Sequence, residues 1–143
     1  MSVKQIAVSL ENVPGKLLAV SQLLGAEGIN IRAISVADTA DVSTVRFVTD
    51  DPLKTINVLK SRDYAVGERE VLAVEVPDHP GGLQAILRPL HRAGINVLYL
   101  YPYLGRGESG QAIVIIGVDK IDEAVEVLKR NWVLTFGPEI YTL

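Results

Sequence analysis

Cysteine is absent from this 143-residue chain, and histidine occurs only twice. The first absence excludes a disulfide framework, a thiolate nucleophile and any cysteine-ligated zinc or iron-sulfur centre. The second leaves no pair of histidines at metal-ligand spacing. No window approaches the roughly 18 apolar residues of a membrane span, and the N-terminal stretch has neither a basic start before an apolar run nor a small-residue cleavage site. An excess of charge of one sign is lacking too: 14 Lys and Arg face 17 Asp and Glu, for a net charge of −3. Eight basic and nine acidic residues fall in 1–70, six and eight in 71–143, so neither half carries an electrostatic footprint for nucleic acid. These absences describe a cytoplasmic protein with no nucleic-acid or membrane partner.

What is present is a repeat. Residues 11–30, ENVPGKLLAVSQLLGAEGIN, align at an offset of 66 with 77–96, PDHPGGLQAILRPLHRAGIN. Pro14 falls on Pro80, Gly15 on Gly81, Leu17 on Leu83, and Gly28-Ile29-Asn30 on Gly94-Ile95-Asn96. Further on the offset becomes 69, where Val58-Leu59-Lys60 meets Val127-Leu128-Lys129. The second copy therefore carries extra residues, assigned by composition to a turn at Gly105-Arg106-Gly107-Glu108-Ser109-Gly110.

Each copy reads as the same order of elements. Ile6, Val8 and Leu10, like Leu72, Val74 and Val76, alternate as strands do. Asn12 or Asp78 is placed to cap a helix of about four turns that stops at Gly28 or Gly94. Pro89 is expected to kink or shorten the second of these helices. Two strands joined by a turn follow, at 31–37 and 43–49, then at 97–104 and 111–118. Asp51-Pro52 and Asp119 open a further helix in each copy. Last strands close the copies near 64–69 and 133–142. This is α+β architecture: two ferredoxin-like βαββαβ modules, 1–69 and 70–143, each with both helices on one face of an antiparallel sheet. Ile113-Val114-Ile115-Ile116 is apolar on both sides, which predicts a partner surface over the other face.

The paired loops are the candidate sites. In Asn12-Val13-Pro14-Gly15-Lys16-Leu17 a strand ends and a helix begins at a glycine that lets a ligand approach the backbone. Free helix N-terminal amides attract a carboxylate, and an Asn side chain can hold an ammonium or a carboxylate. An α-amino acid meets both needs, while a plain cap and turn meets the pattern equally well.

The arrangement NVPGKL, AEGINI and hairpin, then DHPGGL, RAGINV and hairpin, resembles the ACT domain, a small-molecule-sensing module of amino-acid metabolism. The whole chain is similar to stand-alone tandem ACT proteins that carry no catalytic domain. The resemblance implies modules paired side by side into an eight-stranded sheet, with effectors held between the first loop of one module and the second strand of the next. In serine-binding members the Asn before x-Pro-Gly and the Asn ending Gly-x-Asn touch the ligand, which carries over to Asn12 and Asn30, with Ile31 beside it. In the second copy the matching residues are Asp78, His79, Gly81, Gly82, Leu83, Asn96 and Val97. Asp78 in place of Asn predicts an altered or empty site, since it repels a carboxylate but can hold an ammonium.

Tyr99, Tyr101 and Tyr103 share one side of a strand where the first copy has Ala33, Ser35 and Ala37. They are either an interface cluster or an aromatic wall selecting an effector. Material for an enzyme is poor. Gly105-x-Gly107-x-x-Gly110 joins two strands instead of a strand and a helix, so it lacks phosphate-binding mechanics, and neither first loop has the Arg that acylphosphatases of this fold use. The chain is thus expected to be a non-catalytic, homodimeric regulator without cofactor or metal. It would sense an amino acid and signal to an enzyme of amino-acid or keto-acid metabolism. The alternative is an assembly subunit with degenerate sites.

Overall fold

The computed structural model describes residues 2–107 and 110–143. The chain divides into two compact units, Lys4–Arg69 and Glu70–Leu143, and Ser2 and Val3 belong to the second, where Ser2 Oγ donates to Glu70 Oε2 (2.7 Å).

The first unit comprises β1 (Val3–Glu11) from Lys4 onward, α1 (Lys16–Ala26), β2 (Ile31–Asp38), β3 (Val42–Thr49), α2 (Pro52–Ser61) and the start of β4 (Val66–Val76). β1 and β2 both pair antiparallel with β3, with Ile6 opposite Phe47 and Ile34 also opposite Phe47. β4 lies beside β1, and Lys4 Nζ meets Glu68 Oε1 at 3.1 Å. The order is β2-β3-β1-β4. Ile6, Val8 and Leu10 of β1 and Val45 and Phe47 of β3 form one core with Val20 and Leu24 of α1 and Ile56 and Leu59 of α2. Both helices therefore cover the same face of the sheet.

The second unit repeats the pattern with the rest of β4, then α3 (Gln84–Arg92), β5 (Val97–Pro102), β6 (Ala112–Val118), α4 (Ile121–Arg130) and β7 (Thr135–Phe136). β4 pairs with β6 on one side and β7 on the other, and β5 pairs with β6. Leu72, Val74, Ile116 and Val118 meet Ile86, Leu90, Ala124 and Leu128 of the two helices in its core.

Several expectations are corrected. The described residues form seven strands, not eight: the strands expected near 64–69 and from Leu72 onward are one strand, because no turn residue interrupts the chain between Glu68 and Val76. The strand expected over 133–142 is two residues long and gives way to a 3-10 helix at Pro138–Thr142, since Pro138 has no N–H for a sheet ladder. The helices α1 and α3 span 11 and 9 residues, about three turns or fewer. Pro89 does not stop α3: both helices end at equivalent positions, and α3 is shorter because it starts later. Ile113 and Ile115 are 1% and 0% exposed in the chain by itself, so that face needs no second protein to bury it. The predicted turn at Gly105–Gly110 includes Glu108 and Ser109, which lie outside the described residues.

Gly28 and Gly94 both have φ of 71°, the left-handed conformation that ends a helix and that other residues adopt at a cost. Gly25, one turn earlier inside α1, faces open space where an added methyl group would lie. Gly28→Ala is expected to destabilise the protein by about 1–2 kcal/mol and Gly25→Ala to stabilise it by about 0.5–1 kcal/mol, both read from urea unfolding midpoints.

Candidate functional site

β1 runs out at Glu11, and the next four residues turn the chain into α1. Asn12 does not cap the helix, as its sequence position had predicted. Its backbone N–H donates to Asp41 O (3.0 Å) and its side-chain Nδ2 to Thr39 O (3.2 Å), so both groups fasten the loop to the β2–β3 turn. Gly15, at φ 90°, occupies the cap position, and no side chain caps the first turn of α1. The first-turn amides thus lack the partner that an Asn or Asp cap would give them.

Beside this turn lies a cavity of about 170 Å³. β1 and the loop contribute Leu10, Glu11, Asn12 and Val13, α1 contributes Lys16 and Leu17, and the hairpin contributes Val36, Ser43 and Val45. The lining holds one carboxylate and one ammonium, and among the described residues neither Glu11 nor Lys16 forms an ion pair. An amide and a hydroxyl stand between apolar walls. Such a lining can hold a zwitterion with a short aliphatic side chain.

The equivalent loop of the second unit is built differently. Gly82 stands where the first unit has Lys16, and a Cβ there would lie 1.9 Å from Pro77 O. His79 N donates to Pro77 O (3.0 Å), Gly82 N to His79 O (2.9 Å), and Gln84, Ala85 and Ile86 each donate to the carbonyl three residues back. The turn has tightened into 3-10 geometry that uses its own amides. His79 Nδ1 lies 2.9 Å from Pro80 O. Asp78, which replaces the Asn of the first copy, meets Arg106 Nη1 at 3.6 Å.

The structure thus gathers Asn12, Val13, Lys16 and Leu17 around one cavity, with Pro14 and Gly15 forming the turn behind them. Asn30 is exposed at the far end of α1, outside the cavity lining, and its N–H donates to Asp50 Oδ1 (2.9 Å). Asn96 is likewise exposed and donates to Asp119 Oδ1 (3.0 Å). That bond removes Asp119 from the helix-opening role expected of it; Lys120 takes the cap position of α4. Ile31 and Val97 pack against the cores of their own units, while Gly81, Gly82 and Leu83 belong to the tightened turn. Sequence reasoning did not name Leu10, Glu11, Val36, Ser43 and Val45 as site residues. Glu11 was legible as the last residue before the loop, but the hairpin residues enter through strand register, for which the sequence has no local signal.

The tyrosines are not an open wall. Tyr101 and Tyr103 are 3% and 5% exposed, and Tyr103 Oη donates to Ile140 O (3.0 Å), tying down the C-terminal turn. Tyr99 lies over Gly117, whose missing side chain makes room for its ring. Among the described residues no cluster of His, Asp and Glu could hold a metal ion, and no helix is long and apolar enough to cross a membrane.

A family model described as an ACT domain pair matches residues 1–137. Protein BT0572 from Bacteroides thetaiotaomicron is 32% identical over 100% of this chain and 98% of its own, and its crystal structure superposes with a TM-score of 0.92. The ligand-free regulatory subunit of aspartate kinase from Thermus thermophilus shares the fold, with a TM-score of 0.64 and 15% identity over 90% of this chain and 92% of that one. No curated protein matches the chain.

The two loops should respond oppositely to substitution. Gly82→Ala forces a methyl group into the Pro77 carbonyl and is expected to cost about 1–3 kcal/mol, whereas Lys16→Ala, on an exposed side chain, is expected to stay within about 0.5 kcal/mol of the parent; chemical denaturation of both variants checks this.

Proposed function

The chain belongs to the family of ACT domain pairs, and on that premise we propose that it is a non-catalytic regulatory protein that binds a small α-amino acid and signals to an enzyme of amino-acid or keto-acid metabolism. The observation that carries this reading is the cleft at the start of α1, where Glu11 and Lys16 present opposite, unpaired charges across an apolar-walled space. The carboxylate of an amino acid suits Lys16 and the uncapped amides of α1, and its ammonium suits Glu11. A volume of about 170 Å³ is below the roughly 300–1,000 Å³ that drug-sized ligands need, so the ligand is small. Leu10, Val13, Leu17, Val36 and Val45 favour an aliphatic side chain over a charged one.

The family resemblance supports an effector held between modules. On that reading the open side of the cleft is closed by a neighbouring copy, and the exposed Asn30 and Asn96 are the groups available to complete it. The tightened loop of the second unit, with Arg106 on Asp78 and Gly82 folded onto Pro77, favours a division of labour. The first unit binds, and the second serves assembly, which keeps part of the assembly reading.

A thermal-shift screen of amino acids and their keto-acid analogues tests the proposal. Binding to the folded state is expected to add about 2.7 kcal/mol of stability at a hundredfold excess over Kd. Glu11→Gln should weaken amino acids by about 1.5–3 kcal/mol through the lost charged hydrogen bond and leave keto acids, which lack the ammonium, unaffected; Lys16→Ala should weaken both. A flat screen would leave only the assembly role.

A further inference from the structure

The duplication supplies an internal control for the surface that follows the last helix. Asp63 and its counterpart Trp132 both adopt a left-handed backbone, with φ of 63° and 62°. Asp63 N donates to Lys60 O (3.1 Å) and Trp132 N to Lys129 O (3.2 Å), so the two turns have the same construction. That backbone favours a short polar side chain such as Asp and disfavours an indole. Two residues on, Ala65 corresponds to Leu134. Where the first unit has Asp and Ala, the second exposes Trp132 to 95% and Leu134 to 55%, although the first unit makes the same turn without them. The core of the second unit includes neither residue. Folding therefore does not account for them.

Together with Val125 and Val133 these side chains line an open cleft of about 610 Å³, flanked by Glu126 and Lys129 of α4. Neither flanking residue forms an ion pair among the described residues. We propose that this surface is a two-fold interface with a second copy of the chain. In such an interface one patch meets itself, so any charged residues in it must find their opposites within the same patch. Glu126 and Lys129, three residues apart on one helix, meet that condition around an apolar centre: the two-fold directs Glu126 of one copy at Lys129 of the partner copy and the converse. The cleft volume lies in the range that holds a drug-sized molecule, which is room for the partner's indole. Trp is the residue type most enriched at the energetic centres of protein interfaces.

Sedimentation velocity tests the assignment, with fluorescence as a second readout because the chain has a single Trp. The parent protein is expected to be a dimer whose emission shifts to the red as dilution dissociates it. Trp132→Asp installs the residue that the first unit has in the same turn, so the variant should fold, as far-UV circular dichroism will show. Its dimer dissociation constant is expected to rise by about 100-fold; Leu134→Ala provides a milder second variant. E126K and K129E should each weaken the dimer by placing like charges together, and an equimolar mixture of the two should recover it as a heterodimer. A parent that stays monomeric at high micromolar concentration would overturn the proposal and assign the patch to a different protein. So would an unchanged mass for Trp132→Asp, or a mixture no stronger than either charge variant alone.

Discussion

Each unit depends on how its first helix stops. At Gly28 and Gly94 the backbone goes left-handed, and two hydrogen bonds close the helix end: Gly28 N to Gly25 O and Ile29 N to Leu24 O, with Gly94 N to His91 O and Ile95 N to Leu90 O as their equivalents. This is the Schellman arrangement, in which the residue after the glycine packs back on the helix. Ile29 and Leu24 share one core, Ile95 and Leu90 the other. The next residue is then held from the opposite side, Asn30 by Asp50 and Asn96 by Asp119. Lys54 Nζ donates to Glu27 O (2.7 Å) and Lys120 Nζ to Gly94 O (3.4 Å), so a cation meets the carbonyl-rich end of each helix. Without this reversal the strand that follows would not return to the sheet in register, and the helix would lose its packed face.

With the far end of the helix fixed identically in both units, the near end was free to diverge. In the first unit the loop is pinned outward by Asn12 to Thr39 and Asp41, which holds open a space between the start of α1 and the hairpin. In the second, Gly82 lets the chain fold onto Pro77, and the amides that could have met a ligand are spent within the turn. One fold thus has two differently built loops at equivalent positions, so function has to be argued from the loop and not from the architecture.

Polar groups inside the units are satisfied locally. Thr49 and Thr55 are both fully buried, with their hydroxyl oxygens 2.8 Å apart. Since Thr55 Oγ1 donates to Asp51 O (2.8 Å), Thr49 supplies the proton between the two hydroxyls. This short chain joins β3 to the start of α2, where Asp51 Oδ1 accepts from Lys54 N (3.1 Å) as the predicted cap. Among the described residues no buried side-chain polar atom lacks a partner, as expected where an unmade bond costs about 1–3 kcal/mol.

The amino-acid sequence by itself determined the duplication, the order of elements in each copy, the helix stops at Gly28 and Gly94 and the core-facing residues of β1 and β4. These features rest on local periodicity and on backbone angles that only certain residues tolerate. Tertiary structure alone decided where local signals compete or meet across the chain. Asn12 and Asp119 look like helix caps, but each finds a better partner on a neighbouring turn or strand. The end of one module and the start of the next fuse into β4 because nothing between them breaks a strand. The tyrosines read as an interface cluster or an effector-selecting wall, whereas in the folded chain Tyr101 and Tyr103 are buried and Tyr99 lies over Gly117. The walls of the cleft come from β1, α1 and the hairpin at once, and strand register, which sets Val36, Ser43 and Val45 beside Glu11 and Lys16, is fixed by pairing between distant segments and not by any residue's own preference.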